Sequence, residues 1–575
     1  MAKAIYLCYR EENSCGEEIE SRLTEICKEI TPDNITENPP EIDSFPRIQY
    51  GISNPVNTIQ RKDESLLLGF LNQKNEAWYQ PKTKAPDGTY VIIRADEDYI
   101  EFLTDITGSR SLWYYVDHEK LIVSTSQIAI TRYLQDFQLN KKVIPWILSS
   151  GSLGPGNSWD IRVKKVKPNT SVLLDRKSWK LTETTCPFDF SHEIKDYQEG
   201  KKLMANHLHQ LFEELDYDES KWFIPLSGGY DSRAVLLFLK KFRPEKTFTT
   251  VTWGTKESRN RKGSDAHIAG ALSDETGVPN HFYESNRFEG DLNDLLQRFF
   301  LCSEGSIDHI AAYMDGFELW SDLNKRGCNG VIRGEIPFAP ARMESEFEVR
   351  KVAGLLLCRD YGKLKEVDEW GYEPQTIPAS LERRVGESNQ SWLDRLYLEF
   401  RVPAVVSALA DVKYSYVEQS MPLFTRRIIQ LFCTLSDELR AGKHMFKEVV
   451  KELNVKTPIA TKSANEALEL ILRNPEMVEM MKDVLANSPT SDFFREDFIK
   501  KVEKNLKCYN KKSYTFYKFI FRASNWLRYK SQELFQRNSP VQPQISYNLI
   551  AFRMVIFIKM YNLLNKNSLP EISSG

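Results

Sequence analysis

Apolar positions change rhythm along the chain, and the change divides it. In the first 190 residues they come in short runs bounded by turn residues: 65–71, 90–94 just after Asp87-Gly88, the alternating stretch 99–105, and 120–125. Such runs predict short strands in a layered, sandwich-like lobe, with Asp87-Gly88 as a hairpin signal. From residue 191 the rhythm alternates. A helical period over 199–214 precedes an apolar run at 222–226, a helix at 234–241, a strand at 248–253, a helix at 264–276 and a short strand at 330–333. Strands alternating with helices predict a parallel, doubly wound sheet. Beyond about 390 the pattern is helical. The expected fold class is α/β, with a β-rich sandwich lobe at 1–190, a doubly wound parallel-sheet domain at 191–475 and a helical C-terminal region at 476–575.

Composition adds little to this division but removes some functions. The chain has 575 residues, 41% hydrophobic and 27% charged, enough for large cores. A net charge of -3 argues against a protein that binds nucleic acid by overall charge. Nine cysteines are scattered with no Cys-x-x-Cys, which speaks against a disulfide framework or structural zinc and fits a cytoplasmic protein. The N-terminus offers no signal peptide pattern. The most apolar late stretch, 549–564, is broken by Arg553 and Lys559 and is not assigned as a membrane span.

Candidate chemistry concentrates in Ser227-Gly228-Gly229-Tyr230-Asp231-Ser232, between the apolar run at 222–226 and the helix that follows. Two glycines allow backbone N–H groups to approach a ligand closely. A helix N-terminus supplies unpaired N–H groups and a positive dipole end. The two serines add hydroxyls, and the whole suits a polyphosphate. Asp231 would repel phosphate directly, so its natural partner is Mg²⁺ bridging the phosphates. The bland alternative is a Gly-Gly turn with a Ser/Asp helix cap. The loop is neither a Walker A motif nor a dinucleotide-binding G-x-G-x-x-G.

These residues resemble the SGGxDS pyrophosphatase loop of the asparagine synthetase family. Further segments agree in order: Gly254 with Ser264-Asp265-Ala266-His267, Ser303-Glu304-Gly305-Ser306-Ile307-Asp308, Ser420-Met421-Pro422-Leu423-Phe424, and Lys443-His444-Met445-Phe446-Lys447 followed by Pro458-Ile459-Ala460-Thr461-Lys462. Upstream, Asp105-Ile106-Thr107-Gly108 through Trp113-Tyr114-Tyr115 and Ile161 through Asn169 are similar to the family's glutaminase domain. The resemblance covers about residues 65 to 470. It implies an Ntn-hydrolase-like N-terminal lobe and a PP-loop synthetase domain that adenylates a carboxylate, releases pyrophosphate and passes the acyl group to nitrogen. It implies ATP and Mg²⁺ as cofactors, with Leu226, Ser227, Gly228, Gly229, Asp231, Ser232, Trp253 and Gly334 around the nucleotide and Asp231 on the metal. It casts Glu335 as the group that orients or deprotonates an amine. Lys462 becomes the cation that stabilises charge developing on phosphate and on the tetrahedral intermediate. The bland readings are a surface carboxylate and a solvated lysine near a helix start. Asp265 and Glu304 are candidates to line the site; His267 and His281 are read as packing or surface residues.

Two departures qualify the resemblance. Ala2 follows Met1 where the family's glutaminases carry a nucleophilic cysteine, and the first cysteine is Cys8, mid-strand. Glutamine hydrolysis is therefore not expected, as in β-lactam synthetases and lasso-peptide cyclases, and the nitrogen would come from ammonia or an amine. The family's S-G-E-G-S-D-E appears as Arg333-Gly334-Glu335-Ile336-Pro337-Phe338-Ala339, with Phe338 in place of a metal-binding aspartate. The acyl substrate is expected to be a small-molecule, peptide or glycan carboxylate. Residues 500–530 carry ten Lys/Arg, one acid and interleaved aromatics. They suit either an anionic partner or a helical appendage with solvated lysines. The resemblance leaves room for a homodimer. Two other readings stay open: a non-catalytic nucleotide-binding relative and a tRNA-modifying adenylating enzyme.

Overall fold

The computed structural model describes residues 3–12, 16–36, 38–285, 290–338, 343–487, 492–510, 514, 518 and 543–565. Most of the basic stretch 500–530 lies outside the described residues. The N-terminal region holds strands β1 (Ala4–Tyr9), β2 (Glu41–Ser44), β3 (Ile48–Ile52), β4 (Gln60–Lys62), β5 (Ser65–Leu71), β6 (Gly88–Ala95), β7 (Tyr99–Thr104), β8 (Trp113–Val116), β9 (Lys120–Ser124), β10 (Lys164–Lys165), β11 (Thr170–Asp175) and β12 (Lys180–Thr185). They form two six-stranded antiparallel sheets, ordered β10-β8-β9-β1-β3-β2 and β12-β11-β7-β6-β5-β4. The sheets face each other through Tyr6, Cys8, Tyr50, Leu68, Ile93, Phe102 and Val123. Strand β1 is buried along its whole length. Ala4, Tyr6 and Cys8 enter the sandwich, while Ile5 and Leu7 pack outward on the helix Glu17–Glu29. That is why β1 shows no apolar/polar alternation: both of its faces are covered.

The expected sandwich is present, with one local correction. Asp87-Gly88 is not a hairpin turn. Gly88 opens β6 at the end of a long connection from β5, and the tight turn lies between β6 and β7 at Asp96–Asp98. Gly88 is there because a Cβ would overlap the carbonyl of Phe70 on the paired strand.

The second half is built on five parallel strands: β13 (Trp222–Pro225), β14 (Thr250–Gly254), β15 (Asn280–Glu284), β16 (Gly330–Ile332) and β17 (Glu418–Ser420). Their order is β15-β14-β13-β16-β17. The chain thus moves outward one way from β13 and returns to its other side at β16. The gap between the ends of β13 and β16 is the topological switch point of an open parallel sheet, where such folds bind ligands. Helix Tyr230–Phe242 follows β13, beginning four residues before the apolar periodicity suggested; Asp231 and Ser232 therefore sit in its first turn. Helix Asp265–Thr276 follows β14, capped by the Ser264 hydroxyl accepting from the His267 N–H at 3.2 Å.

The lobes are joined by polar as well as apolar contacts. The stretch after β7 makes one joint. Buried Asp105 accepts from the backbone N–H and hydroxyl of both Thr107 and Ser109. This tight turn presents Arg110 to Glu418 of β17 as a buried pair with both carboxylate oxygens at 2.9 Å. The apolar core runs without a break from β1 through helices Val143–Ser150 and Leu292–Ser303 to helix Tyr547–Asn565. That last helix is long and apolar enough to cross a membrane by composition. Here it is a core element: Ile550, Phe552, Met554, Val555 and Met560 are buried, and Arg553 is satisfied by Asp308 at 2.8 Å and by the carbonyls of Leu148 and Ser149.

Candidate active site

The loop 226–232 rises from β13 at the switch point. Leu226 is buried; its N–H donates to Val251 O at 2.8 Å and its carbonyl accepts from the Thr252 hydroxyl at 2.8 Å, which fixes the loop's base on β14. The serines bind each other: the hydroxyls of Ser227 and Ser232 are 3.0 Å apart, and the Ser227 N–H donates to Ser232 Oγ at 3.1 Å. Gly229 is the N-cap of the helix and has no side chain with which to cap it. The N–H groups of the first helical turn are left for a ligand.

Two other segments close on this loop. Gly334, just past β16, lies so near the first turn that a Cβ there would overlap the backbone of Asp231 and Ser232. Gly228 is equally tight against Ala460 and Ile268, and its carbonyl accepts from the Ala460 N–H at 3.0 Å. The segment 457–464 is held along the sheet edge by several anchors. Arg233 donates to the carbonyls of Thr457 and Pro458, both at 2.7 Å, and Lys462 bridges to Ser264 in parallel fashion. The Ala464 carbonyl accepts from the Thr255 N–H at 2.9 Å. Only glycine fits at either position: at 334 it brings backbone to backbone, and at 228 it leaves room for the side chains of Ala460 and Ile268.

The charges are arranged unevenly. Asp231 is half-buried, and burial pushes its carboxyl above the usual range, opposed by Lys443. Lys443 Nζ lies 2.6 Å from Asp231 Oδ2. Glu335 pairs with Arg333, which also donates to Gln419 Oε1 at 2.9 Å; the second oxygen of Glu335 is buried without a partner. A buried acceptor left open is costly, so this oxygen points to a missing ligand donor or cation. Among the described residues no cluster of three or more His, Cys, Asp or Glu forms a metal cage. The arrangement fits Mg²⁺ only as the ion of a metal–phosphate complex, held by Asp231 with phosphate oxygens supplying most ligands.

The expected site residues divide as follows. Leu226, Ser227, Gly228, Gly229, Asp231, Ser232, Gly334 and Glu335 converge at the switch point. The backbone of Lys462 is on the same edge, but its ammonium is exposed and donates to Lys262 O at 3.1 Å. Trp253 is half-buried with its ring edge-on to Trp320 at 5.7 Å, at the end of β14. Asp265 lies at the loop: burial raises its carboxyl, opposed by the backbone of Gly228 and Ala464. Glu304 does not line the site. It is buried against Lys3 at the lobe junction. Phe338 is inside the core, with its ring 4.7 Å from Phe432, so that position turns away from the loop altogether. Sequence reasoning missed Lys443 as a site residue. Its signal was its place in the matched segment before helix His444–Lys451; its left-handed backbone, φ 60°, aims the side chain back at Asp231.

No family model matches the chain, and no curated protein matches it. One solved structure that does match is a glutamine phosphoribosylpyrophosphate amidotransferase from B. subtilis complexed with ADP and GMP. Identity is 9%, coverage is 59% of this chain and 83% of that one, and the TM-score is 0.19. At that score the likeness carries no argument about residues or activity.

Proposed function

We propose that this protein is an ATP-dependent, AMP-forming carbon–nitrogen ligase of the asparagine synthetase type. The observation that carries this reading is the meeting, at the switch point, of a bare helix N-terminus, the Asp231–Lys443 pair and the Glu335 carboxylate with its open oxygen. A carboxylate oxygen of the substrate attacks the α-phosphorus of ATP, and pyrophosphate leaves onto the first-turn N–H groups of helix Tyr230–Phe242. Mg²⁺, when bound, neutralises phosphate charge. Lys443 holds Asp231 in place before nucleotide arrives. Glu335 accepts a hydrogen bond from the incoming ammonia or amine through its free oxygen, orients it at the acyl carbon and takes up the proton the nitrogen loses as the C–N bond forms; the bond from the acyl carbon to the phosphate oxygen breaks and AMP departs. Lys462, on the rim, reaches the developing negative charge by a rotamer change from Lys262 O. The long Lys side chain allows that movement.

The test is pyrophosphate and AMP release from ATP and Mg²⁺ with a panel of amino-acid, peptide and sugar carboxylates, each with ammonium or an amine. Lys462→Met should lower turnover by about 10²-fold or more while leaving nucleotide affinity nearly unchanged. Absence of pyrophosphate with every member of the panel sinks the reading. A second reading, a nucleotide-binding relative without turnover, is favoured by the burial of Phe338 and the ion pair already occupying Asp231. Calorimetric ATP binding with no AMP formed would select it.

A further inference from the structure

A cavity of about 330 Å³ lies away from the loop, in the seam between β8, β10 and the helical segment Tyr397–Val406. No residue of 226–232 or 333–335 lines it. Its walls are mainly apolar, with Trp113, Tyr114, Leu381, Phe400 and Pro403, and its polar part includes Asn157, Lys164, Lys167 and Ser380. The volume is in the range of small-molecule sites, about 300–1,000 Å³, and an apolar cavity of about 150 Å³ already takes benzene.

Lys165 of β10 opens onto this cavity. Its Nζ donates to the carbonyl of Pro403 at 2.5 Å and to Ser407 Oγ at 3.3 Å, and it lies 4.8 Å from the Trp113 ring. Among the described residues no carboxylate lies within ion-pair distance of it. Asp411 and Glu304 act on it only from further off, and burial draws its pKa down to about 8. The two acids that line the cavity are already committed. Glu183 pairs with Lys167 at 2.6 Å, and Glu399 pairs with Arg395 at 3.1 Å. A cation taken out of water without a counter-ion is expensive. Here one stands beside an apolar space of ligand size, with two of its three protons used. The wall opposite is a π-helical stretch with Pro403 inside it, a geometry concentrated at functional sites.

We infer that this seam cavity is a second binding site, for a small carboxylic acid with a flat apolar body, whose carboxylate pairs with Lys165 and whose body packs between Trp113 and Phe400. The site operates without nucleotide. The probe is phenylacetate, with phenylacetamide as its neutral isostere, titrated by calorimetry into the full chain with no ATP present. Phenylacetate should bind saturably and about tenfold more tightly than phenylacetamide, the worth of one charge-assisted hydrogen bond. Lys165→Met should erase that difference while leaving Tm unchanged or raised, since it removes an unpaired buried charge. Ala404→Leu, which fills the cavity from the helical wall, should abolish binding of both compounds. Equal affinity for acid and amide in the parent protein, no binding of either, or binding that survives Ala404→Leu would each overturn the assignment. Because ATP is absent, these outcomes are independent of whether the chain forms AMP.

Discussion

Two polar clusters sit at the heart of this molecule, and they are finished to different degrees. At the lobe junction every oxygen of Glu304 is used. Oε1 accepts from Lys3 Nζ at 2.8 Å and from the Ser126 hydroxyl at 2.5 Å, Oε2 from the Gln127 N–H at 2.7 Å, and the main-chain carbonyl from the Trp159 indole at 2.7 Å. The cluster is almost wholly buried. At the switch point the opposite holds. Asp231 and Lys443 are half-exposed, Glu335 keeps an open oxygen, and the helix N-terminus is uncapped. A saturated buried network specifies structure. An unsaturated one at a ligand-binding location stores binding capacity. The contrast makes the first cluster architectural and leaves the second with unused binding capacity.

The comparison is broken most forcefully at the junction. Glu304→Ala strands the Lys3 ammonium and two other donors, the Ser126 hydroxyl and the Gln127 N–H, in the interior. The expected loss is about 3–5 kcal/mol of unfolding free energy, read by denaturant titration. A loss below about 1 kcal/mol would mean that the junction is not a closed structural network. Asp231→Asn should do the reverse. Pyrophosphate release should fall by about 10²–10³-fold. Tm should hold or rise, because burial already disfavours the charged form of Asp231. A mutant that unfolds early but turns over normally would exchange the roles of the two clusters.

How much of this was legible in the sequence follows the same divide. Local features came through. The apolar run at 222–226 and the Gly-Gly that follows located the loop, and the alternation of strands and helices located the parallel sheet. Long-range features did not. Strand β17 is three residues long and reads polar, Glu418-Gln419-Ser420, because its side chains are committed to partners from elsewhere: Arg110, the Ala410 carbonyl and Tyr217. Nothing local marks such a strand. Glu304 was placed near the loop because it follows a helix in a family-like segment. Its partner Lys3 is 301 residues away, a distance no spacing argument crosses. Phe338 was weighed as a lost metal ligand. Its ring is instead buried against Phe432, a contact across the core that no local pattern marks.

The smallest expected effect concerns pH, and it separates the two kinds of carboxylate by sign. In the open site Asp231 is held above the ordinary range. In the closed interior Asp308, paired with Arg553 and His309, is held down to about 2 from an ordinary value of 3.8. A carboxyl depressed on folding releases its proton more readily in the native state. Its contribution to stability is therefore fully present above the unfolded value near 4 and is lost as pH falls toward about 2. The shift corresponds to about 2 kcal/mol. His309 stands beside the same carboxylate at 3.1 Å and is half-exposed. Unfolding free energy measured between about pH 5 and 2 should fall less steeply for Asp308→Asn than for the parent chain. Asp231→Asn should make that fall steeper than in the parent, because a carboxyl raised on folding adds stability as pH drops toward the unfolded value near 4, and the amide removes that offset. If Asp308→Asn keeps the parent's slope, the junction between helix Tyr547–Asn565 and the N-terminal lobe is not held by this ion pair, and the closed interior is closed by apolar packing alone.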